Sequence, residues 1–295
     1  MAPTELCGDP VATRVREAVD ERVRALDEEG VTPALGTVMA TDAPGAAKYM
    51  DLKHEACADH GIATRDHRLA PDASRSVVFE AVEALSEDEA VDAVFVQTPL
   101  PDGVDAAAVG RRLDPAKDVD CVHPANLGRL VDGDPRFIPA TTAAVVRLLD
   151  HYGVRTVGRH AVVVGRSRAI GRPLANRLLW RSDPGNATVT VGHSRAADLG
   201  AVTRRADVLV TAAGKPGLVD GSMLSSGVAV VDVSANRRPD GSVVGDVDAG
   251  SARRKADAFT PVPGGVGPVT LAALLDNVVT AAERRAASAP DRPPT

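Results

Sequence analysis

The sequence predicts an α/β fold in two domains. Strand-like and helix-like segments alternate along nearly the whole chain, the alternation restarts near residue 140, and the restart opens with a strand that ends in a glycine-rich turn. Such alternation implies parallel sheets covered on both faces by helices. A strand, a Gly-rich turn and a helix in that order read as a Rossmann-like dinucleotide-binding unit, and a cleft is expected between it and the preceding domain. The predicted boundaries are 1–139, completed by a C-terminal helix at 268–287, then 140–267, with a Pro-rich disordered tail at 288–295.

Each element rests on a local pattern. Val11, Val15, Val19, Val23 and Leu26 form one helical face, which Gly30 ends. Pro33–Met39 reads as a buried strand, Gly45–His60 as a helix stopped by Gly61, and Ser74–Ser86 as another helix. The apolar run Val91–Val96 is a strand and Asp105–Leu113 a helix. In the second domain a helix from Thr141 to Tyr152 leads into strand His160–Val164, the turn Gly165–Gly171 and helix Pro173–Trp180. Strands follow at Ala187–Val191, Asp207–Ala212 and Val228–Val233, and Arg237–Gly241 marks a turn. The helix Val269–Ala286 closes the pattern and is expected to pack back on the first domain.

At 295 residues the chain has the apolar content for one large or two medium cores. A net charge of −6 and the lack of a Lys/Arg run argue against nucleic acid as a partner. No apolar run approaches the roughly 20 residues of a membrane span, and the N-terminus lacks a signal-peptide core, so a cytoplasmic protein without a membrane partner is expected. Cys7, Cys57 and Cys121 are an odd, scattered set, read as reduced thiols and not as a disulfide frame or a zinc site.

Six segments carry candidate chemistry. Thr260–Thr270 packs three Pro and three Gly into eleven residues without a charge. It reads either as a structural turn or, the reading favoured here, as a rigid ligand-binding loop. The turn Gly165-x-Ser167-x-x-x-Gly171 offers backbone N–H groups and a helix N-terminus to a pyrophosphate, although it is not G-x-G-x-x-G. After the next strand comes Gly192-His-Ser-Arg195, with no carboxylate for a ribose diol, so Arg166 and Arg195 favour NADP over NAD; otherwise both are solvated surface residues. Tyr49 and Lys53 lie four apart on one helical face, a spacing that by itself fits a snorkelling surface pair better than a site. Gln97 ends a strand at the sheet edge where α/β folds bind ligands, and Lys117–Pro124 gathers Asp118, Asp120 and His123 into a turn. There Asp118 suits a capping role, His123 a structural one, and Asp120 a ligand N–H group.

Taken in order, Tyr49-x-x-x-Lys53, Val96-Gln-Thr-Pro-Leu-Pro101, Lys117-Asp-Val-Asp120, Gly165-Arg-Ser167 and Thr260–Pro268 resemble the bifunctional methylenetetrahydrofolate dehydrogenase/methenyltetrahydrofolate cyclohydrolases, from about residue 10 to 285. The resemblance implies NADP-dependent oxidation of 5,10-methylenetetrahydrofolate, then hydrolysis to 10-formyltetrahydrofolate, a link to purine biosynthesis, and a homodimer. It implies a folate-binding first domain and an NADP-binding second one. Lys53 would transfer protons with Gln97 as its uncharged partner, Tyr49 would stack on the folate, and Asp120 would hold the pterin. Pro263, Gly264 and Gly267 would line the substrate cleft. Gly165, Arg166, Ser167, Ser194 and Arg195 would contact NADP, with Ala235 near its nicotinamide. No metal is expected.

Some positions depart from the family pattern: Ala46 stands where Ser is usual and Cys121 where Gly is. Pro139–Ala144 and Asp232–Asn236 also differ. The expectation is that Ala46 weakens hydrolysis relative to oxidation and that the 232–236 change loosens cofactor specificity. The competing readings are a monofunctional dehydrogenase, another NAD(P)-dependent dehydrogenase of a small substrate, and a non-catalytic nucleotide sensor.

Overall fold

A computed structural model describes residues 2–43 and 45–288. The chain begins with β1 (Thr4–Glu5), α1 (Asp9–Glu28), β2 (Ala34–Met39), α2 (Ala46–Asp59), β3 (Ala63–Arg68), α3 (Arg75–Glu87) and β4 (Ala93–Val96). Helices α4 (Ala106–Gly110), α5 (Pro124–Asp132) and α6 (Ala140–His151) precede β5 (His160–Val164), α7 (Gly171–Leu178) and β6 (Thr188–Gly192). Then come α8 (Leu199–Thr203), β7 (Val208–Thr211), β8 (Val228–Asp232), β9 (Asn236–Arg237), β10 (Val243–Val244), α9 (Ala249–Ala252), β11 (Ala256–Phe259) and α10 (Val266–Ser288).

Two compact units result. One holds Arg14–Arg129, Pro135–Ile138 and the chain from Leu274. Its sheet runs β3-β2-β4, all parallel, and Asp118 bridges to Val94 beside β4. The core under this sheet is Val38, Val78, Val82, Leu85, Val91 and Val94, so the i, i+4 face of α3 packs on the strands. Burying such a valine or leucine is worth about 1.5–3 kcal/mol per side chain. The C-terminal part of α10 is tied in by polar groups: Asn277 Nδ2 donates to Val119 O and Ile138 O, each at 2.9 Å. Arg285 also pairs with the buried Asp92, whose other oxygen accepts from Ala34 N at 2.9 Å.

The other unit holds the chain up to Thr13, Leu130–Asp134 and Pro139–Ala273. Its six strands are ordered β1-β11-β8-β7-β5-β6, every pair parallel, with the antiparallel β9-β10 hairpin beside them. Strands β5, β7 and β8 are continuous valine-rich runs, as strands buried on both faces must be. Because the sheet is parallel, the loops after β5, β6, β7, β8 and β11 all leave the same carboxyl edge.

The α/β fold class is borne out, and several expectations need correction. Residues up to Thr13 were assigned to the first domain, yet β1 pairs with β11 and Leu6 N donates to Phe259 O at 2.9 Å. A two-residue strand of exposed Thr and Glu carries no apolar pattern to announce this. Strand β3 is likewise unannounced, since it is a mostly exposed polar edge. Helix α5 carries no sequence expectation: the pattern there covers only the turn Lys117–Pro124 before it. Helix α4 stops at Gly110 and falls short of Leu113. Ser288 is the last helical residue of α10 and no part of a tail, and positions 289–295 of the expected tail lie outside the described residues.

Candidate active site

Helix α2 places Tyr49 and Lys53 one turn apart, against the end of β4. The expectation from spacing, a snorkelling surface pair, is wrong for the lysine. Lys53 is 2 % exposed, with Nζ 3.7 Å from the Tyr49 ring centroid and 4.3 Å from that of Phe95. Tyr49 is 38 % exposed and keeps ring surface available for stacking. Lys53 Nζ donates to Gln97 Oε1 at 3.1 Å. The amide cannot turn its other end toward the amine, because Gln97 Nε2 donates to Thr98 O at 2.6 Å. Its backbone is fixed as well, through Gln97 N to Val38 O at 2.8 Å.

The electrostatics follow from this packing. Burial pulls the Lys53 ammonium down to about 7, and the nearby Asp120 charge opposes the shift. A neutral partner such as Gln97 leaves that depression standing, whereas a carboxylate there would cancel it. Burial pushes the Cys57 thiol up to about 12, so beside Lys53 it is inert as a nucleophile at neutral pH.

Asp120 is half-buried and lines a cavity of about 40 Å³ with Val96, Thr98, Leu100 and Val122. It thus shares the loop region that follows Gln97. Asp118 is fully buried and turned away from that role. It accepts from Val122 N at 3.0 Å, His123 N at 2.8 Å and Asn126 Nδ2 at 2.9 Å, which holds the turn that leads into α5. His123 Nδ1 accepts from Ala125 N at 3.0 Å, a local turn contact. Between the two carboxylates and α5 the chain passes through Cys121 at φ +54°, a backbone that favours glycine. The Cys121 thiol donates to Phe137 O at 2.8 Å.

The second group of candidates sits on the carboxyl edge of the six-stranded sheet. Gly165 N donates to Gly192 O at 2.9 Å, which joins the turn after β5 to the end of β6. Gly165 has φ +132°, and a Cβ there would lie 2.4 Å from Ala212 O. A Cβ on Gly171 would lie 2.2 Å from Gly165 O. Only glycine fits either place, because the turn packs directly on the backbone after β7 and on itself at the start of α7. Ser167 Oγ accepts from Ile170 N at 3.2 Å and holds the turn. Arg166, Ser194, Arg195 and Ala235 are all exposed on the loops after β5, β6 and β8. Arg195 N donates to His193 Nδ1 at 3.1 Å, and no carboxylate stands in Gly192–Arg195.

The Pro/Gly loop follows β11 at this same edge and is pinned at several points. Thr260 is buried, and its Oγ1 accepts from Asp232 N at 2.8 Å. Gly264 O accepts from Gly8 N at 2.7 Å, while Pro263 and Gly267 remain exposed. Phe95, Ser234 and Asp246 were missed by sequence reasoning. Phe95 is hidden in an apolar run, and a carboxylate in Gly245-Asp-Val-Asp248 carries no motif. Among the described residues no group of three or more His, Cys, Asp or Glu could hold a metal ion.

A buried lysine of lowered pKa in one unit and a glycine-rich turn at the carboxyl edge of a parallel sheet in the other are the features of an α/β enzyme with a nucleotide-type domain. The chain belongs to the tetrahydrofolate dehydrogenase/cyclohydrolase family: that family's catalytic domain matches residues 6–120 and its NAD(P)-binding domain matches residues 139–286. A bifunctional protein FolD of Haloquadratum walsbyi is 47% identical over 277 residues, which cover 93% of this chain and 89% of the relative. The bifunctional FolD enzyme of Campylobacter jejuni superposes with a TM-score of 0.91 at 36% identity, covering 96% of this chain and 100% of that one. Trypanosoma brucei FolD, solved with NADP cofactor and an inhibitor, gives a TM-score of 0.91 at 35% identity, with 98% and 100% covered.

Proposed function

We propose that this chain carries out both reactions of its family: NADP-dependent oxidation of 5,10-methylenetetrahydrofolate to the methenyl form, and hydrolysis of that form to 10-formyltetrahydrofolate. The observation that carries the reading is Lys53, buried, titrating near neutrality and held by an amide. At neutral pH such an amine is poised both to take and to give a proton. It takes a proton from the water that adds to the methenyl carbon, and returns it to the ring nitrogen that leaves. Gln97 holds the amine in place without fixing its charge. Tyr49 stacks on the folate, and Asp120 accepts the pterin's amino and ring N–H groups. Pro263, Gly264 and Gly267 contribute to substrate binding.

The cofactor edge fits NADP. The glycine turn Gly165–Gly171 at the start of α7 receives the pyrophosphate, with Arg166, Ser167, Ser194 and Arg195 around the adenosine end and Ala235 beside the nicotinamide. When bound, NADP supplies the hydride acceptor. In this reading the unit that holds Arg14–Arg129 and the chain from Leu274 serves the folate, and the unit that holds Pro139–Ala273 the cofactor. The family likeness also supports a cytoplasmic homodimer whose formyl product feeds purine biosynthesis. No described helix is long and apolar enough to cross a membrane.

Purified protein tests the proposal. It should reduce NADP when given methylenetetrahydrofolate, seen as nicotinamide absorbance, and should separately hydrolyse methenyltetrahydrofolate. Oxidation without hydrolysis would make it a monofunctional dehydrogenase, and neither activity would overturn the reading.

A further inference from the structure

Asp246 is fully buried just after β10, and its carboxylate accepts five hydrogen bonds. Oδ2 receives Ala213 N at 2.6 Å, Gly214 N at 3.2 Å and Ser234 Oγ at 2.7 Å. Oδ1 receives Lys215 N at 2.7 Å and Asn236 Nδ2 at 3.0 Å. These donors belong to two loops, one after β7 and one after β8, which are adjacent strands. Ser234 ties the same loops a second time, since its Oγ also accepts from Gly214 N at 3.2 Å. Asp232, at the end of β8, holds the base of the arrangement through Thr211 Oγ1 at 3.0 Å and Val247 N at 2.8 Å. Gly245 between them admits no side chain, because a Cβ would fall 1.9 Å from Asp232 Oδ2.

A buried carboxylate is costly unless its oxygens are filled, and here they are filled entirely from two ligand-edge loops. The core of this unit would not need that: Val219, Val230 and Val247 pack without it. What the five bonds fix is the course of Ala213–Lys215 and Ser234–Asn236 at the carboxyl edge of the sheet, where α/β folds bind ligands. We propose that Asp246 and Ser234 form a clamp that positions these two loops, and through them the nicotinamide end of NADP. The proposal rests on the assignment of Ala235 to the nicotinamide. Neither side chain touches the reacting atoms; both are positioning residues. Ser234 stands where the family has glycine, so its hydroxyl adds a brace, against the expectation that this change loosens the site.

The test separates the two ends of the cofactor. Adenosine 2′,5′-bisphosphate reaches only the adenosine end, whereas NADP reaches both. Ser234→Ala should raise KM for NADP about three- to tenfold, the loss expected for one or two hydrogen bonds. Its Kd for the bisphosphate, by calorimetry, should be unchanged, and Ser234→Thr should restore the NADP value. Asp246→Asn should act in the same direction and more strongly. An unchanged KM for NADP in Ser234→Ala overturns the clamp, as does equal weakening of both ligands, which would mark a general loss of fold. If the parent protein itself fails to bind the bisphosphate or to reduce NADP, the proposed function falls instead.

Discussion

Replacing Lys53 by Met tests the buried amine most directly, because Met fills a similar volume without a charge. Burial lowers the Lys53 pKa from an ordinary 10.5 to about 7. That difference is on the order of 5 kcal/mol in favour of the neutral amine within the fold. With the folded pKa below the unfolded one, the unfolded chain binds more protons between about pH 7 and 10.5, so stability rises with pH across this window. Below about pH 7 both states are protonated and the whole burial cost is felt. The Gln97 bond and the two aromatic rings offset about 1–3 kcal/mol of it. Lys53→Met should therefore be the more stable protein by about 2–4 kcal/mol near pH 6. The advantage should shrink by roughly 1.4 kcal/mol for each pH unit above about 7. Urea unfolding of parent and variant in parallel measures this. The same variant should lose methenyl hydrolysis while still binding NADP. A stability difference that stays flat from about pH 6 to about pH 10 would refute the argument, because it would mean that Lys53 titrates as an ordinary solvated lysine.

Five further outcomes are expected. Gln97→Glu puts a carboxylate about 3 Å from the amine, an attraction of several kcal/mol, so the acid limb of the hydrolysis pH profile should move alkaline by about two units or more. Gly165→Ala should abolish NADP binding in calorimetry and destabilise the fold by about 3 kcal/mol or more, since its Cβ meets Ala212 O. Gly158→Ala, at φ +71° with open space around it, should cost only about 1 kcal/mol. Arg195→Ala should weaken NADP by about ten- to a hundredfold through loss of a charge-assisted bond, while NAD binding stays unchanged. Asp118→Ala should cost about 2–4 kcal/mol in urea unfolding, because it leaves the backbone N–H groups of Val122 and His123 without their acceptor and removes one of the bonds of Asn126.

Sequence pattern reaches as far as its physical cause is local. The valine runs of β5, β7 and β8 announce buried parallel strands because every residue in them except His160 is buried. The Gly165 turn is legible because glycine is forced there by Ala212 O, a neighbour set by the strand register. Where the cause is tertiary, the pattern is silent. Strand β3 has polar exposed residues and is a strand only because β2 pairs with it. Strand β1 is a strand only because β11 lies beside it, about 250 residues away in sequence. For Lys53 the spacing to Tyr49 was compatible with solvent exposure, and nothing in an i, i+4 pair reveals that Phe95 and Gln97 close over the amine. Asp246 was illegible for the same reason: its five donors come from two loops that follow other strands.

The departures from the family pattern are absorbed by neighbours rather than left as defects. Ala46 packs with Met39 and Met50, an apolar cluster that supports the helix carrying Lys53. Cys121 takes up a left-handed backbone that costs about 1–2 kcal/mol, and a buried thiol bond to Phe137 O works against that cost. Ser234 donates and accepts within the Asp246 cluster. Alongside these changes Gln97 retains both of its amide bonds, to Lys53 and to Thr98. The acid–base pair and its surroundings can therefore vary separately. That is why activity is expected to survive changes at 46, 121 and 234 and not at 53.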